Sequence, residues 1–496
     1  MTAIDELRAA LREDRWEDID RLFNRSFFAL LLTDPELVYE ALDTAPDEWY
    51  RDHPRHLMTR GIGAARGPLP LVGSEAEEAF SAWVAAQPQP AARDQLGVLS
   101  ARLRALMSSQ RFFEAEQIAD RMIAVIRGAR EHAGFPDVLP TALLRIGTAK
   151  LLVGDAAAAT QLFAEAHRWA NIGPVHPIES LVKDHLALAA ALGEDFTAAR
   201  RWLEDRGRRT TLAHGLRYHY ETVGLVTRAL IAVGGADPQA AQAAIQDADD
   251  EGTYFSEMWW VAVHARARFE LFWGDPHEGV SHIRRHLQLR GGTAAPALAS
   301  KLLRADMADL FMMLGDLSAA ERELNAPDGA RPHPAVRLSK VRLELLRRRG
   351  DIAARLLHEA ESESGVTPSL SVLRAQVERV ACGAVSHRAA RRAAFLLRDT
   401  GARIALLEAD REVRSQLEAL SDDDAVSGAN SYLYRPRANL TRREAQILRA
   451  LRQFGTTKEV AAALHLSPNT VKTHLNSLYR KLDVHTRDEA LQHYPE

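Results

Sequence analysis

Cysteine is nearly absent: Cys382 stands alone among 496 residues. One thiol excludes a disulfide within the chain and any zinc site built on cysteine pairs, and it fits a reducing cytoplasm. The dipeptide Gly-Lys occurs nowhere. A phosphate loop of the form Gly-x-x-x-x-Gly-Lys-Ser/Thr, whose backbone N–H groups and lysine hold a triphosphate, is therefore missing, and no ATP switch is expected in this polypeptide. Long apolar runs are also lacking, since Phe27 to Leu32 is far short of a membrane span. The opening residues Met1-Thr2-Ala3-Ile4-Asp5-Glu6 are acidic and have no apolar core, unlike a signal peptide. A soluble cytoplasmic protein with no membrane partner follows as the expectation. There is no nucleophile elbow, no acid–base pair in a recognisable motif, and no strand–helix alternation of the kind a phosphoacceptor receiver needs. The chain is expected not to be an enzyme and to hold no cofactor.

Three weaker chemical candidates have simpler readings. Gly61-x-Gly63-x-x-x-Gly67 is off the dinucleotide spacing and follows no clear strand, so it reads as a loop between helices. His282 and His286 could share a helix face as metal ligands, but Arg284 and Arg285 lie between them and no carboxylate completes a set. Trp259-Trp260, Tyr218-His219-Tyr220 and Trp273 could line a ligand groove, although aromatics at helical spacing usually pack a core.

The body of the chain has an internal beat. Turns with Gly and Asp fall at Gly154-Asp155, Gly193-Glu194-Asp195, Gly235-Ala236-Asp237, Gly274-Asp275, Gly315-Asp316 and Gly350-Asp351, in glycine-to-glycine steps of 39, 42, 39, 41 and 35 residues. Each turn lies between segments of helical period, such as Ala142 to Val153 before and Ala156 to Ala170 after. Two helices and a turn per unit of about forty residues define an α-solenoid. The glycine is expected to supply the backbone conformation that ends one helix before the next begins. The pattern resembles tetratricopeptide repeats lengthened by a few residues.

The C-terminal stretch is denser in signals. Thr441-Arg442-Arg443-Glu444 has capping-box spacing, Ala445, Ile447, Leu448 and Leu451 give one apolar face, and Gly455 is expected to end that helix. A second short helix near Thr457 buries Val460, Ala461 and Leu464, and His465-Leu466 makes a tight link. Ser467 then caps a third helix with Pro468 at its first position, where the missing N–H costs nothing. Val471, Leu475, Leu478 and Leu482 face inward on it, while Lys472, Thr473, Asn476 and Arg480 face out. A final helix follows Thr486. Two helices joined by a tight turn, the second polar on its outer face, form a helix-turn-helix whose second helix enters the major groove.

Leu440-Thr441-x-x-Glu444, Lys458-Glu459-Val460-Ala461, Ser467-x-x-Thr470-Val471-Lys472-x-His474 and Tyr479-x-Lys481-Leu482 resemble the LuxR-type helix-turn-helix of bacterial transcription regulators. By position, the resemblance implies that Lys472, Thr473 and Asn476 read bases. Thr470, His474 and Lys481 would be phosphate contacts or supports, and Ser467 and Lys458 complete the DNA-binding set. Asp483 departs from the family, which usually has glycine after Lys-Leu. Further upstream, Arg15-Trp16-Glu17-Asp18, Asp34-Pro35-Glu36-Leu37, Ala45-Pro46-Asp47-Glu48-Trp49 and His53-Pro54-Arg55-His56-Leu57 resemble the helical repeats of the MalT-like (LAL) regulators. Those carry an N-terminal nucleotide-binding switch, which the missing phosphate loop implies is lacking here.

Charge agrees with a DNA-binding head. From Arg435 to Arg487 eleven Lys/Arg stand against three acidic residues, a net of +8, while the whole chain is −4 and the remainder therefore −12. Between Ser421 and Asn439 an acidic, Gly/Ser/Asn-containing stretch without helical period reads as a linker. The expected architecture is all-α: helical repeats over 1–95, a tetratricopeptide-like α-solenoid over 96–420, a linker over 421–437 and a four-helix LuxR-type head over 438–496. The expected function is sequence-specific transcriptional regulation. The partners would be double-stranded DNA, a second copy of the chain on DNA, RNA polymerase, and an effector or protein at the solenoid. The alternative is a helical-repeat scaffold that recruits another regulator and carries a vestigial head.

Overall fold

The structure is a computed structural model that describes residues 2–57, 75–130, 135–172, 175–205, 214–253, 256–290, 296–326, 333–364, 366–421, 440–482, 484 and 486–492. Among the described residues the regular structure is helical, with no strand. The glycine-rich stretch at Gly61, the acidic stretch after Ser421 and the departure at Asp483 lie outside them. Ser421 itself closes the helix Arg411–Ser421, so that residue of the expected linker is helical.

Helices in the body pack as consecutive antiparallel pairs, and five of the six aspartates of the repeating turns start the second helix of a pair, whereas Asp351 lies inside Gly350–Ser364. Asp155, Asp195, Asp237, Asp275 and Asp316 are N-caps, accepting from Ala158, Ala198, Ala240, His277 and Ala319 N–H at 3.1, 2.9, 2.9, 3.0 and 2.9 Å. Each such cap contributes roughly 1 kcal/mol. The left-handed residue is a different matter. Glycine holds it at Gly154 (φ +96°) and Gly315 (φ +78°), but elsewhere Glu194 (φ +64°), Ala236 (φ +57°) and Arg348 (φ +59°) hold it instead. Glycine is therefore not the general helix terminator expected, and Gly350 lies within the first turn of Gly350–Ser364. Glu194 is fixed by a bond from Ser369 N–H at 2.9 Å, which offsets part of the roughly 1 kcal/mol cost of its backbone.

The N-terminal helices form their own hydrophobic cluster around Leu7, Ile19, Phe23, Phe27, Leu37 and Trp49. They join the solenoid at a break in helix Trp16–Thr33, where Ser26 leaves helical geometry (φ −147°, ψ 30°). Buried Asp137 accepts from Phe28 and Ala29 N–H, both at 3.0 Å, while Arg93 donates to the Phe23 and Asn24 carbonyls. The groups orphaned by the break are thus satisfied by side chains from the next unit.

The solenoid coils tightly. Helix Phe135–Val153 touches Ala297–Met313, and Phe196–Glu204 touches His387–Thr400, so units far apart in sequence meet. Helices Glu179–Leu192, Trp259–Phe272 and Ala297–Met313 are consequently buried on nearly every side. Trp259 and Trp260 are core, at 4% and 0% exposure. The interior is filled by the chain itself: Ala402 and every residue from Ile404 to Asp410 are buried. At the centre, Arg268 and Arg342 donate to Asp309 at 3.1 and 2.9 Å, and both also pair with Glu408. Gln376 Nε2 donates to the Glu408 carbonyl at 2.9 Å. Burial works to raise the Glu408 pKa, but the two guanidiniums outweigh it and hold the carboxyl below its ordinary value. At Asp309 burial wins and the shift is upward.

Candidate nucleic-acid interface

Four helices build the C-terminal head: Arg442–Gln453, Thr457–Ala463, Pro468–Leu482 and Arg487–Gln492. Their inward faces form a separate core of Leu440, Ile447, Leu448, Leu451, Val460, Ala461, Val471, Leu475, Leu478, Leu482, Val484 and Ala490. Each helix start is chemically fixed. Thr441 and Glu444 form a reciprocal capping box, and Thr456 and Glu459 form a second one. Ser467 Oγ accepts from Thr470 N–H at 3.0 Å and lies 2.8 Å from the Thr470 hydroxyl. The link at His465 is left-handed (φ +53°), the tight turn between the second and third helices.

The first helix does not end on glycine as its sequence suggests. It closes at Phe454 in extended backbone (φ −122°, ψ 132°). Arg487 from the last helix then donates to the carbonyls of Leu451, Phe454 and Gly455. A cation at a helix C-terminus complements both the free carbonyls and the helix dipole.

On the third helix Lys472, Thr473 and Asn476 are exposed, as are Ser467 and, on the second helix, Lys458. Spacing of i, i+1 and i+4 puts the first three on one face. Lys472 and Lys458 form no ion pair with a described residue, so their charge is available to an anion. The Thr473 hydroxyl donates to the Asn469 carbonyl at 3.0 Å. Thr470 and His474 are half-buried at the edge of this face. Lys481 is set apart: its Nζ lies 2.7 Å from Glu444 Oε2, tying the third helix to the start of the first. Burial works to raise the Glu444 pKa, yet the Lys481 ammonium, the Ser477 hydroxyl and the Thr441 amide outweigh it, and the carboxyl is held at about 2. No feature of the sequence pattern singled out this Glu444–Lys481 pair.

The head also touches the body. Arg449 pairs with Asp275, the N-cap of Pro276–Leu289, and His277 Nε2 lies 3.1 Å from the Leu440 carbonyl. Elsewhere in the body, His282 and His286 have ring centroids 4.6 Å apart, and no group of three or more metal-ligating side chains occurs among the described residues.

A small capped helical head with a polar, partly cationic face on its third helix defines the class: a helix-turn-helix domain appended to a helical body. Residues 438–494 match the family described as bacterial regulatory proteins, luxR family. The chain is 43% identical over 65 residues to a probable csgAB operon transcriptional regulatory protein of Salmonella typhimurium, covering 13% of this chain and 30% of that protein. It is 47% identical over 51 residues to the uncharacterized transcriptional regulatory protein YhcZ of Bacillus subtilis, covering 10% and 24%. With the spore germination protein GerE of Bacillus subtilis the identity is 40% over 52 residues, covering 10% of this chain and 70% of GerE. The chain belongs to the luxR family of bacterial regulatory proteins. It nevertheless spans only about 30% of the length of the Salmonella relative, and the family match covers residues 438–494. No helix among the described residues is long and apolar enough to cross a membrane.

Proposed function

We propose that the protein is a sequence-specific transcriptional regulator that binds duplex DNA as a homodimer through residues 438–496. Lys472 donates to guanine O6 and N7, the Thr473 methyl meets a thymine methyl, and Asn476 reads adenine. Thr470, His474, Ser467 and Lys458 hold phosphates or support the reading helix. The Glu444 ion pair favours a supporting part for Lys481. The observation that carries this reading is the exposed face of Lys472, Thr473 and Asn476 on a helix locked by a cap, a turn and a dedicated core. The printed names of the relatives, transcriptional regulatory proteins, support it.

The body, of the MalT-like kind, senses an effector or protein partner and alters how the head is presented to DNA and to RNA polymerase. The contact between Asp275 and Arg449 gives that reading a physical place to act. Selection of bound sequences from a random duplex library tests the central statement, using the full chain, residues 438–496 and Lys472→Ala. Loss of the lysine–base contact should cost about 1–3 kcal/mol and relax one base position. Absence of any salt-dependent binding refutes DNA recognition and favours a scaffold. An unchanged preference in Lys472→Ala refutes the assigned reading face.

A further inference from the structure

We infer that the helix His387–Thr400 of the body is a second DNA-contacting surface, one that grips backbone phosphates flanking the sequence read by the head. The inference rests on the DNA-binding reading above. Ala389, Ala390, Ala393, Ala394 and Leu397 are buried and fix how the helix sits. At 100° per residue this places Arg388, Arg391, Arg392, Phe395 and Arg398 together on the opposite side, within an arc of about 120°. All five are exposed, Phe395 at 55%. None of the four guanidiniums has an ion-pair partner among the described residues. Other arginines of the body, exposed or half-buried, such as Arg15, Arg21, Arg51, Arg111 and Arg349, are paired with carboxylates.

An unpaired cationic stripe is conspicuous because the chain outside Arg435–Arg487 carries a net −12. Asp399 also falls within this arc and is exposed, so the stripe sets four positive charges against one negative. The partner must be polyanionic and extended enough to meet charges along three helical turns, which a row of phosphates satisfies and a single carboxylate does not. Position favours the DNA already held by the head. The stripe helix packs against Arg411–Ser421, the last helix of the body. Eighteen residues then separate Ser421 from Leu440, the first described residue of the head. At about 3.3–3.6 Å per residue they span at most roughly 65 Å, or about 19 base pairs at 3.4 Å each. Flanking duplex within that distance of the head's site is within reach of the stripe.

Binding is measured against salt concentration for the full chain on two duplexes sharing the selected site, one of about 20 and one of about 60 base pairs. The variant replaces all four arginines, Arg388→Gln, Arg391→Gln, Arg392→Gln and Arg398→Gln, with its unfolding midpoint checked against the parent. The parent should bind the long duplex more tightly and with a steeper salt slope than the short one. In the variant the long-duplex slope should flatten by about 3–4, the value for four phosphate contacts, and the length advantage should vanish while short-duplex binding stays the same. Equal slopes for parent and variant on the long duplex overturn the second surface, as does tighter binding by the variant. Failure of the parent to bind either duplex instead overturns the DNA-binding reading itself.

Discussion

Glu444→Gln should cripple the head, although the residue touches no part of the reading face. Its side chain is 3% exposed and accepts from Thr441 N–H at 2.7 Å and from Lys481 Nζ at 2.7 Å. Burial opposes ionisation, but those donors and the Ser477 hydroxyl bring the carboxyl from 4.5 down to about 2. At 1.36 kcal/mol per pKa unit, that difference favours the charged form by roughly 3 kcal/mol in the folded head. Because the folded pKa is the depressed one, this stabilisation is complete above about pH 4.5 and is lost as pH falls through about 2. A domain below about 70 residues rarely has more than about 3–5 kcal/mol in total.

Glutamine keeps an acceptor for Thr441 but loses the ion pair, so most of the head's stability should disappear at neutral pH. Thermal unfolding of residues 438–496, whose core is separate from that of the body, reads the loss. DNA affinity should fall with it. Glu459→Gln provides an internal control, since Glu459 accepts from Thr456 N–H at 2.7 Å in the same motif but is exposed and pairs with no lysine. It should cost much less. Equal losses for the two substitutions, or a Glu444 carboxyl that titrates near 4 by NMR, would refute the reasoning.

Three further outcomes concern the body. Glu408→Gln removes one of the two carboxylates that Arg268 and Arg342 share in the interior, leaving Asp309 alone against two guanidiniums, and should lower unfolding stability in urea by about 3 kcal/mol or more; a loss below about 1 kcal/mol contradicts it. Burial holds the His185 pKa at about 4 against an ordinary 6.5. The unfolded chain therefore takes up its proton first, and the body should lose roughly 3 kcal/mol from this group as pH falls from 6.5 to 4, a slope that His185→Gln should flatten. A Cβ on Gly234 would lie 2.2–2.4 Å from three Phe196 ring carbons. Gly234→Ala should thus destabilise by about 1–3 kcal/mol, and Phe196→Leu should relieve part of the loss; a stabilised single variant would show that the ring moves aside.

The head was legible because its signals are local. Thr441 and Glu444 are three residues apart, Ser467 adjoins Pro468, and the periodic leucines lie on one short helix, so caps and core follow from neighbours. The Glu444–Lys481 pair joins residues 37 apart and depends on how two helices cross, which no local pattern encodes. In the body, the Gly/Asp turns marked where one helix gives way to the next, and five of their six aspartates are the caps that start the second helix. The left-handed position was not readable from glycine, since Glu194, Ala236 and Arg348 are forced into it by the helices on either side. The same geometry recurs at Asp14 (φ +50°) and Gln110 (φ +59°), turns that carry no glycine and so fell outside the Gly/Asp beat. Each is followed two residues later by an aromatic, Trp16 and Phe112, as Glu194 is by Phe196. That aromatic spacing is the signal that would have revealed them.

The filled interior constrains any account of signalling. Concave surfaces are where solenoids commonly take partners, yet here Ala402 to Asp410 occupies the inside and Glu408 is clamped by two arginines. An effector of the proposed kind would then act on the outer faces or displace a segment that ends one helix before the head's connection. The head contact is of a different order. The Arg449–Asp275 pair is half-buried, with Asp275 at 9% and Arg449 at 38% side-chain exposure, and His277 adds a bond to the Leu440 carbonyl. If docked and undocked heads are similar in free energy, a coupling of the usual 1–3 kcal/mol is enough to change which predominates. Asp275 is well placed to feel such a bias, because its own N–H is held at 2.7 Å by Glu270, on the helix that also carries Arg268. Under the proposed control by the body, a full switch from 1:99 to 99:1 docked would take about 5.5 kcal/mol of differential binding.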